Sequence, residues 1–235
     1  MARPHLGLIV PPAAGAVPVE GAQLYGERFR FSARGLGLPE ISTRGYEEVI
    51  DSVVEKAILL KEEGAEAISL MGTSLSFYRG PAFNRQLEAE MARSTGLPCT
   101  TMTNAVVRGL QHLGVRRVAV ATAYIDEVNL RLRDYLEQSG FEPLALEGLS
   151  ISDVGAVGKV PTRQLADLCI RVFEAQPGAD GILLSCGGLV TLDAVREVEE
   201  RLQVPVVSSS PAGFWDLART AGLDAKSPGS GMLFA

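Results

Sequence analysis

The sequence predicts an α/β fold of two pseudo-symmetric lobes, each a mainly parallel four-stranded sheet flanked by helices, with a site in the cleft between them. Two observations lead there. Short runs of Val, Ile and Leu alternate with longer amphipathic segments, the pattern of βα units whose strands are buried on both faces. The chain also repeats itself weakly: Glu66-Ala-Ile-Ser-Leu-Met-Gly72 matches Asp180-Gly-Ile-Leu-Leu-Ser-Cys186, and Gly7-Leu-Ile-Val-Pro11 resembles Val118-Ala-Val-Ala-Thr122, at offsets of 114 and 111 residues. After each member of the first pair come a helical segment and a Pro-led apolar run, from Pro98 and from Pro205. The expected division puts residues 1–114 plus 208–235 in the first lobe and 115–207 in the second.

In chain order, strands are expected at 6–10, 67–71, 118–122, 181–185 and 205–208, with weaker signals near 99–102 and 143–146. Helical periodicity covers 46–63, 82–94, 104–113, 126–138, 162–175, 192–202 and 212–221, and several of these segments stop at glycine, which accepts the left-handed conformation of a helix end. Asp126 and Asp193 read as helix-start residues, and Ser208-Ser-Ser-Pro211 as the capping segment of the last helix, with Phe214 and Trp215 in the core. The stretch 11–43 breaks the rhythm: it holds glycines, prolines and aromatics but no clear period. A segment that long is either a lid or pocket wall, or a surface insertion.

Composition narrows the function. Over 235 residues the net charge is −6, with 22 basic and 28 acidic side chains scattered along the chain, so there is no basic footprint for nucleic acid. The three cysteines, Cys99, Cys169 and Cys186, are odd in number and widely spaced, which argues for free thiols in a reducing compartment. With only His5 and His112 available, a histidine metal site or a Ser-His-Asp triad has little to draw on. No apolar run is long enough for a signal or membrane segment. The expectation is a cytoplasmic, monomeric protein that binds a small molecule and engages neither nucleic acid nor membrane.

In open α/β sheets, ligands sit beyond the carboxyl ends of the strands. Four turns fall there: Pro11-Pro12, Gly72-Thr-Ser74, Thr122-Ala-Tyr124 and Cys186-Gly-Gly188. Cys186 follows a buried strand and precedes two glycines, so backbone N–H groups are free to meet an anion or a thiolate. Position alone leaves it between a packing residue and a reactive thiol. Cys169, within a helical run, and Cys99, at a strand start, read as packing residues. Thr73, Ser74 and Ser76 supply hydroxyls in the equivalent turn of the first lobe, for helix capping or for an oxyanion. Neither turn contains Arg or Lys, so an anion held there would rest on neutral donors. Phosphate-loop patterns are absent.

These stretches carry a resemblance. Ile9-Val-Pro-Pro-Ala-Ala-Gly15, Ser69-Leu-Met-Gly-Thr-Ser-Leu-Ser-Phe-Tyr-Arg-Gly80, Ala121-Thr-Ala-Tyr-Ile-Asp126, Gly181-Ile-Leu-Leu-Ser-Cys-Gly-Gly188 and Val206-Val-Ser-Ser-Ser-Pro-Ala-Gly-Phe-Trp215 resemble the aspartate/glutamate racemase superfamily and, within it, the arylmalonate decarboxylases, from about Gly7 to Phe234. Racemases of this superfamily carry one cysteine in each lobe, and here the first-lobe position is Gly72. The resemblance therefore implies a cofactor-independent decarboxylase that takes a 2-aryl-2-alkylmalonate to an (R)-2-arylpropionate. It implies Cys186 as the proton donor, with Thr73, Ser74, Tyr124 and the backbone around Gly187 holding the retained carboxylate. An apolar pocket at Pro11, Pro12, Leu38, Ile41, Tyr46, Leu75, Val154 and Val157 would receive the other. The alternative is a one- or two-base racemase or isomerase of the same superfamily acting on an α-substituted carboxylic acid.

Overall fold

A computed structural model of the chain describes residues 3–235. The first half runs β1 (His5–Val10), α1 (Val19–Tyr25), β2 (Arg30–Gly35), α2 (Thr43–Val49), a 3-10 turn at Ile50–Ser52, α3 (Val53–Glu62), β3 (Ala67–Leu70), α4 (Thr73–Phe77), α5 (Gly80–Thr95), β4 (Cys99–Thr101) and α6 (Met102–His112). The second half runs β5 (Arg117–Thr122), α7 (Asp126–Gln138), β6 (Glu142–Gly148), α8 (Val154–Val157), α9 (Thr162–Glu174), β7 (Gly181–Ser185), α10 (Leu192–Leu202), β8 (Val206–Ser208) and α11 (Ser209–Thr220), closing on a 3-10 turn at Met232–Phe234.

Two four-stranded sheets result, ordered β2-β1-β3-β4 and β6-β5-β7-β8, and every pairing is parallel. The identical order is the structural form of the internal repeat. Parallel strands need helices on both faces, and β1, β3 and β7 are accordingly buried at every position. All strands of a parallel sheet end at the same edge, so the turns after β1, β3, β5 and β7 gather at one side of each sheet. From β8 the chain enters α11, which packs on α6, β4, β3 and α1. Among the described residues, no helix is long and apolar enough to cross a membrane.

The expected strands and helices are present, with ends moved by a few residues. The helix expected over 46–63 starts earlier and is interrupted by the 3-10 turn. Three parts of the reading are corrected. The stretch 11–43 is not without regular structure: it contains α1 and the edge strand β2. Ser208 holds the N-cap position of α11 but makes no side-chain cap; its hydroxyl pairs with Thr191 instead. Short helices α4 and α8 complete the turns after β3 and before α9.

Gly35 shows how the fold shapes the site. A Cβ there would come within 2.4 Å of the Pro12 carbonyl oxygen and 2.5 Å of the Ala13 carbonyl oxygen, both backbone atoms that cannot rotate away. Glycine is thus required for β2 to close against the Pro11-Pro12 turn, whose Pro11 carbonyl also accepts from Leu38 N–H at 2.9 Å. Gly35→Ala is expected to lower unfolding free energy by about 1–3 kcal/mol through overpacking, as read by urea denaturation. Parent-like stability would show that the turn moves freely.

Candidate active site

The turns after β1, β3 and β7 line one cavity of about 230 Å³, larger than the ~150 Å³ that suffices to enclose benzene. Its wall brings together Pro11, Pro12, Leu38, Ile41, Gly72, Thr73, Ser74, Val154, Val157, Cys186 and Gly187 from the expected set. The two central turns touch: a Cβ on Gly187 would lie 3.1 Å from the Met71 carbonyl oxygen and 2.6 Å from Met102 Sδ. The segment after β2 reaches across as well, with Ile41 N–H donating to the Ser152 carbonyl at 2.8 Å. Ala16, Val17, Val19 and Glu20, from the 11–43 stretch that was one candidate for a pocket wall, also line the cavity, as do Met71, Leu189 and Val190. No periodicity within 16–20 or 189–190 singles out these individual positions.

Tyr46, Leu75 and Tyr124 do not line this cavity; all three are fully buried behind it. Leu75 fills the space beside Gly72, where an added Cβ would sit 2.8 Å from Leu75 Cδ1 and 3.3 Å from Pro11 Cγ. The nearest obstacle is the far end of a flexible side chain, so the glycine leaves one wall of the cavity without a functional group but not without room. The Tyr46 hydroxyl is buried without a hydrogen-bond partner. Burial pushes it far above the ordinary phenol range, and the neighbouring Ser74 hydroxyl opposes that shift.

Each donor is fixed by its own turn. Thr73 opens α4 after Gly72, and its carbonyl accepts from Thr103 Oγ1 at 2.8 Å and from Ser76 Oγ at 3.0 Å. Ser76 is thereby committed to structure rather than to the cavity. The Thr73 hydroxyl itself donates to Met102 Sδ at 3.0 Å. A thioether is a weak acceptor, so this donor is aimed but loosely engaged. Tyr124 is held by Thr122 and Asn129: its N–H donates to Thr122 Oγ1 at 3.1 Å and its carbonyl accepts from Asn129 Nδ2 at 3.2 Å. The Tyr124 hydroxyl lies 3.3 Å from Ser185 Oγ. Ser185 Oγ in turn accepts from Ser209 Oγ at 3.4 Å, and Ser209 Oγ accepts from the Cys186 N–H at 3.3 Å.

Cys186 is only 7% exposed. Burial pushes its thiol up to about 11, against the Gly188 N–H and the Tyr124 hydroxyl, which favour the thiolate. The cavity wall contains no Lys, Arg or His, and Glu20 is its one ionisable carboxyl. At neutral pH the group is therefore a protonated thiol, with two donors beside its sulfur. Cys99 and Cys169 are buried elsewhere in the core. Among the described residues, no cluster of three or more His, Cys, Asp or Glu is placed to hold a metal.

A family model described as arylmalonate decarboxylase matches residues 6–234. An arylmalonate decarboxylase from Bordetella bronchiseptica is 59% identical over 232 residues, covering 98% of this chain and 96% of the relative. A maleate isomerase from Nocardia farcinica is 25% identical, covering 97% and 94%. Among solved structures, a crystal structure of arylmalonate decarboxylase superposes with a TM-score of 0.90 at 59% identity over 98% of this chain and 99% of the other. A maleate isomerase from Pseudomonas putida in complex with maleate, 22% identical, superposes with a TM-score of 0.92 over 99% and 98%, which establishes a shared fold.

The thiol titration is directly measurable. Thiolate absorbance near the ultraviolet edge, taken as the difference between the parent and Cys186→Ala, is expected to rise at a pH clearly above the ~8.5 of a free cysteine. A Cys186 midpoint at or below that value would contradict a desolvated thiol.

Proposed function

The chain belongs to the arylmalonate decarboxylase family, and from that premise we propose that it decarboxylates a 2-aryl-2-alkylmalonate without a cofactor, through an enediolate that Cys186 protonates on one face. One observation carries this reading: a buried thiol, its pKa raised, stands in a cavity whose first-lobe turn offers glycine at position 72, so that a thiol is present on one side only.

One substrate carboxylate is assigned to the neutral donors at Thr73 and Ser74 and to the backbone N–H groups of the Cys186-Gly187 turn, with Tyr124, buried behind the cavity, supporting that wall through its hydroxyl beside Ser185 and Cys186. Thr73 exchanges a weak sulfur acceptor for a carboxylate oxygen, so its donor is gained at little expense. The other carboxylate faces Pro11, Pro12, Leu38, Ile41, Val154 and Val157, with Leu75 and Tyr46 packed behind. A carboxylate without partners in such surroundings is destabilised by several kcal/mol. Breaking the bond between Cα and that carboxylate releases CO₂ and removes the buried charge.

The bonding pair moves onto the retained carboxylate as an enediolate. Donors already aimed at those oxygens stabilise the new charge by about 3 kcal/mol each. Cα then takes the proton of Cys186 Sγ, and the thiolate left behind is met by Gly188 N–H and Tyr124 before solvent restores its proton. Delivery from one face yields a single enantiomer, the (R)-2-arylpropionate that the family resemblance implies. Two-base racemisation needs a second proton carrier across the substrate, and glycine at position 72 has no side chain to supply one.

Cys186→Ala tests the assignment. CO₂ release from 2-methyl-2-phenylmalonate is expected to fall by about 10²–10⁴-fold, the range of a positioned general acid, with racemic residual product. Parent-like release and enantiopurity in that variant would remove the thiol from the reaction.

A further inference from the structure

The mechanism leaves one buried ionisable group of the cavity wall unused. Glu20 lies in the first turn of α1 and is 1% exposed. Its Oε1 accepts three hydrogen bonds: from Thr191 N–H at 2.7 Å, from Thr191 Oγ1 at 2.9 Å and from Leu192 N–H at 3.1 Å. These backbone groups belong to the N-terminus of α10, where the first N–H groups have no partner within the helix. Thr191 occupies the N-cap position yet does not cap the helix with its own side chain. A carboxylate from α1 does so instead, and the positive end of the α10 dipole faces that charge.

The geometry bears on Cys186 because α10 begins six residues after it. One end of the intervening turn is tied where the Cys186 N–H donates to Ser209 Oγ, and Leu189 N–H closes back onto the Cys186 carbonyl at 3.2 Å. The other end is tied at Thr191. Because the Thr191 hydroxyl proton goes to Glu20, the proton of its contact with Ser208 comes from Ser208, at the start of α11. Glu20 thus joins α1, α10 and the β8–α11 junction around the turn. Burial pushes the Glu20 carboxyl above the ordinary carboxylate range, and the donors from Ser210, Thr191 and Leu192 oppose that shift.

We propose that Glu20 is a positioning residue for proton delivery: seated on the first turn of α10, its carboxylate fixes the Gly187–Val190 segment and with it the direction in which Cys186 Sγ meets the substrate carbon. This rests on the reading of Cys186 as the proton donor. A residue that only held the fold together would change stability and leave the stereochemistry of the remaining active enzyme unchanged. A positioning residue changes the stereochemistry.

The test compares Glu20→Ala and Glu20→Gln with the parent on 2-methyl-2-phenylmalonate, reading kcat, KM, product enantiomeric excess and thermal midpoint. For Glu20→Ala, kcat is expected to fall by about 100-fold, as misplacement of a reacting group does, with KM within about threefold and enantiomeric excess reduced. Glu20→Gln keeps an acceptor oxygen and is expected to recover most of both kcat and enantiomeric excess. If Glu20→Ala does not fold, Thr191→Val, which removes one donor to Glu20, is expected to lower enantiomeric excess in its place. Parent-like kcat and enantiomeric excess in the folded variants, or a loss confined to thermal midpoint, would overturn the proposal. Cys186→Ala is assayed alongside: if it retains parent activity the thiol reading fails, whereas its loss together with unaffected Glu20 variants overturns the role of Glu20 alone.

Discussion

Desolvation of the Cys186 thiol, in a cavity whose wall carries no cationic side chain, is the constraint on which the remainder of the site depends. A nucleophilic or basic cysteine needs a neighbouring cation or base to hold it as thiolate. None lines this cavity, so burial acts unopposed except by two neutral donors and keeps the proton on sulfur. The same dry surroundings magnify the difference between a carboxylate that has donors and one that lacks them. In the proposed reaction, acid strength, anion placement and the driving force for losing CO₂ therefore share one physical origin.

The two sheets supply that environment through their shared topology. Parallel strands bring the turns after β1, β3, β5 and β7 to like edges, and the two sheets repeat one strand order. Gly72 and Cys186 occupy corresponding turns, so the duplication sets a glycine in the place equivalent to the thiol. Buried hydroxyl groups from Ser185, Ser209, Thr103 and Ser76 hold those turns without placing charge in the cavity. The position of the site thus comes from the parallel fold, and its one-sidedness from a single residue.

Much of this was legible in the sequence because buried parallel strands leave continuous apolar runs. β1, β3, β5 and β7 were found for that reason, and the repeat placed Gly72 and Cys186 in equivalent turns. β2 was missed because Arg30–Gly35 is an edge strand, half exposed and without an apolar run. α1 is only seven residues long and lies in a segment dominated by proline and glycine. Ser208 looked like a helix cap, yet a tertiary partner, Thr191, claims its hydroxyl. Glu20 gave no local signal at all, since its partners lie more than 170 residues away in the chain. Patterns along the chain reveal strands and turns; long-range hydrogen bonds become visible only once the turns are brought together.

Decarboxylation of 2-methyl-2-phenylmalonate in D₂O, followed by chiral separation and mass analysis, addresses the central claim of protonation from one side most directly. The account predicts one enantiomer carrying a single deuterium at Cα, and no deuterium uptake when that product is returned to the enzyme. A racemic product, or exchange of the product's α-proton accompanied by inversion, would contradict it.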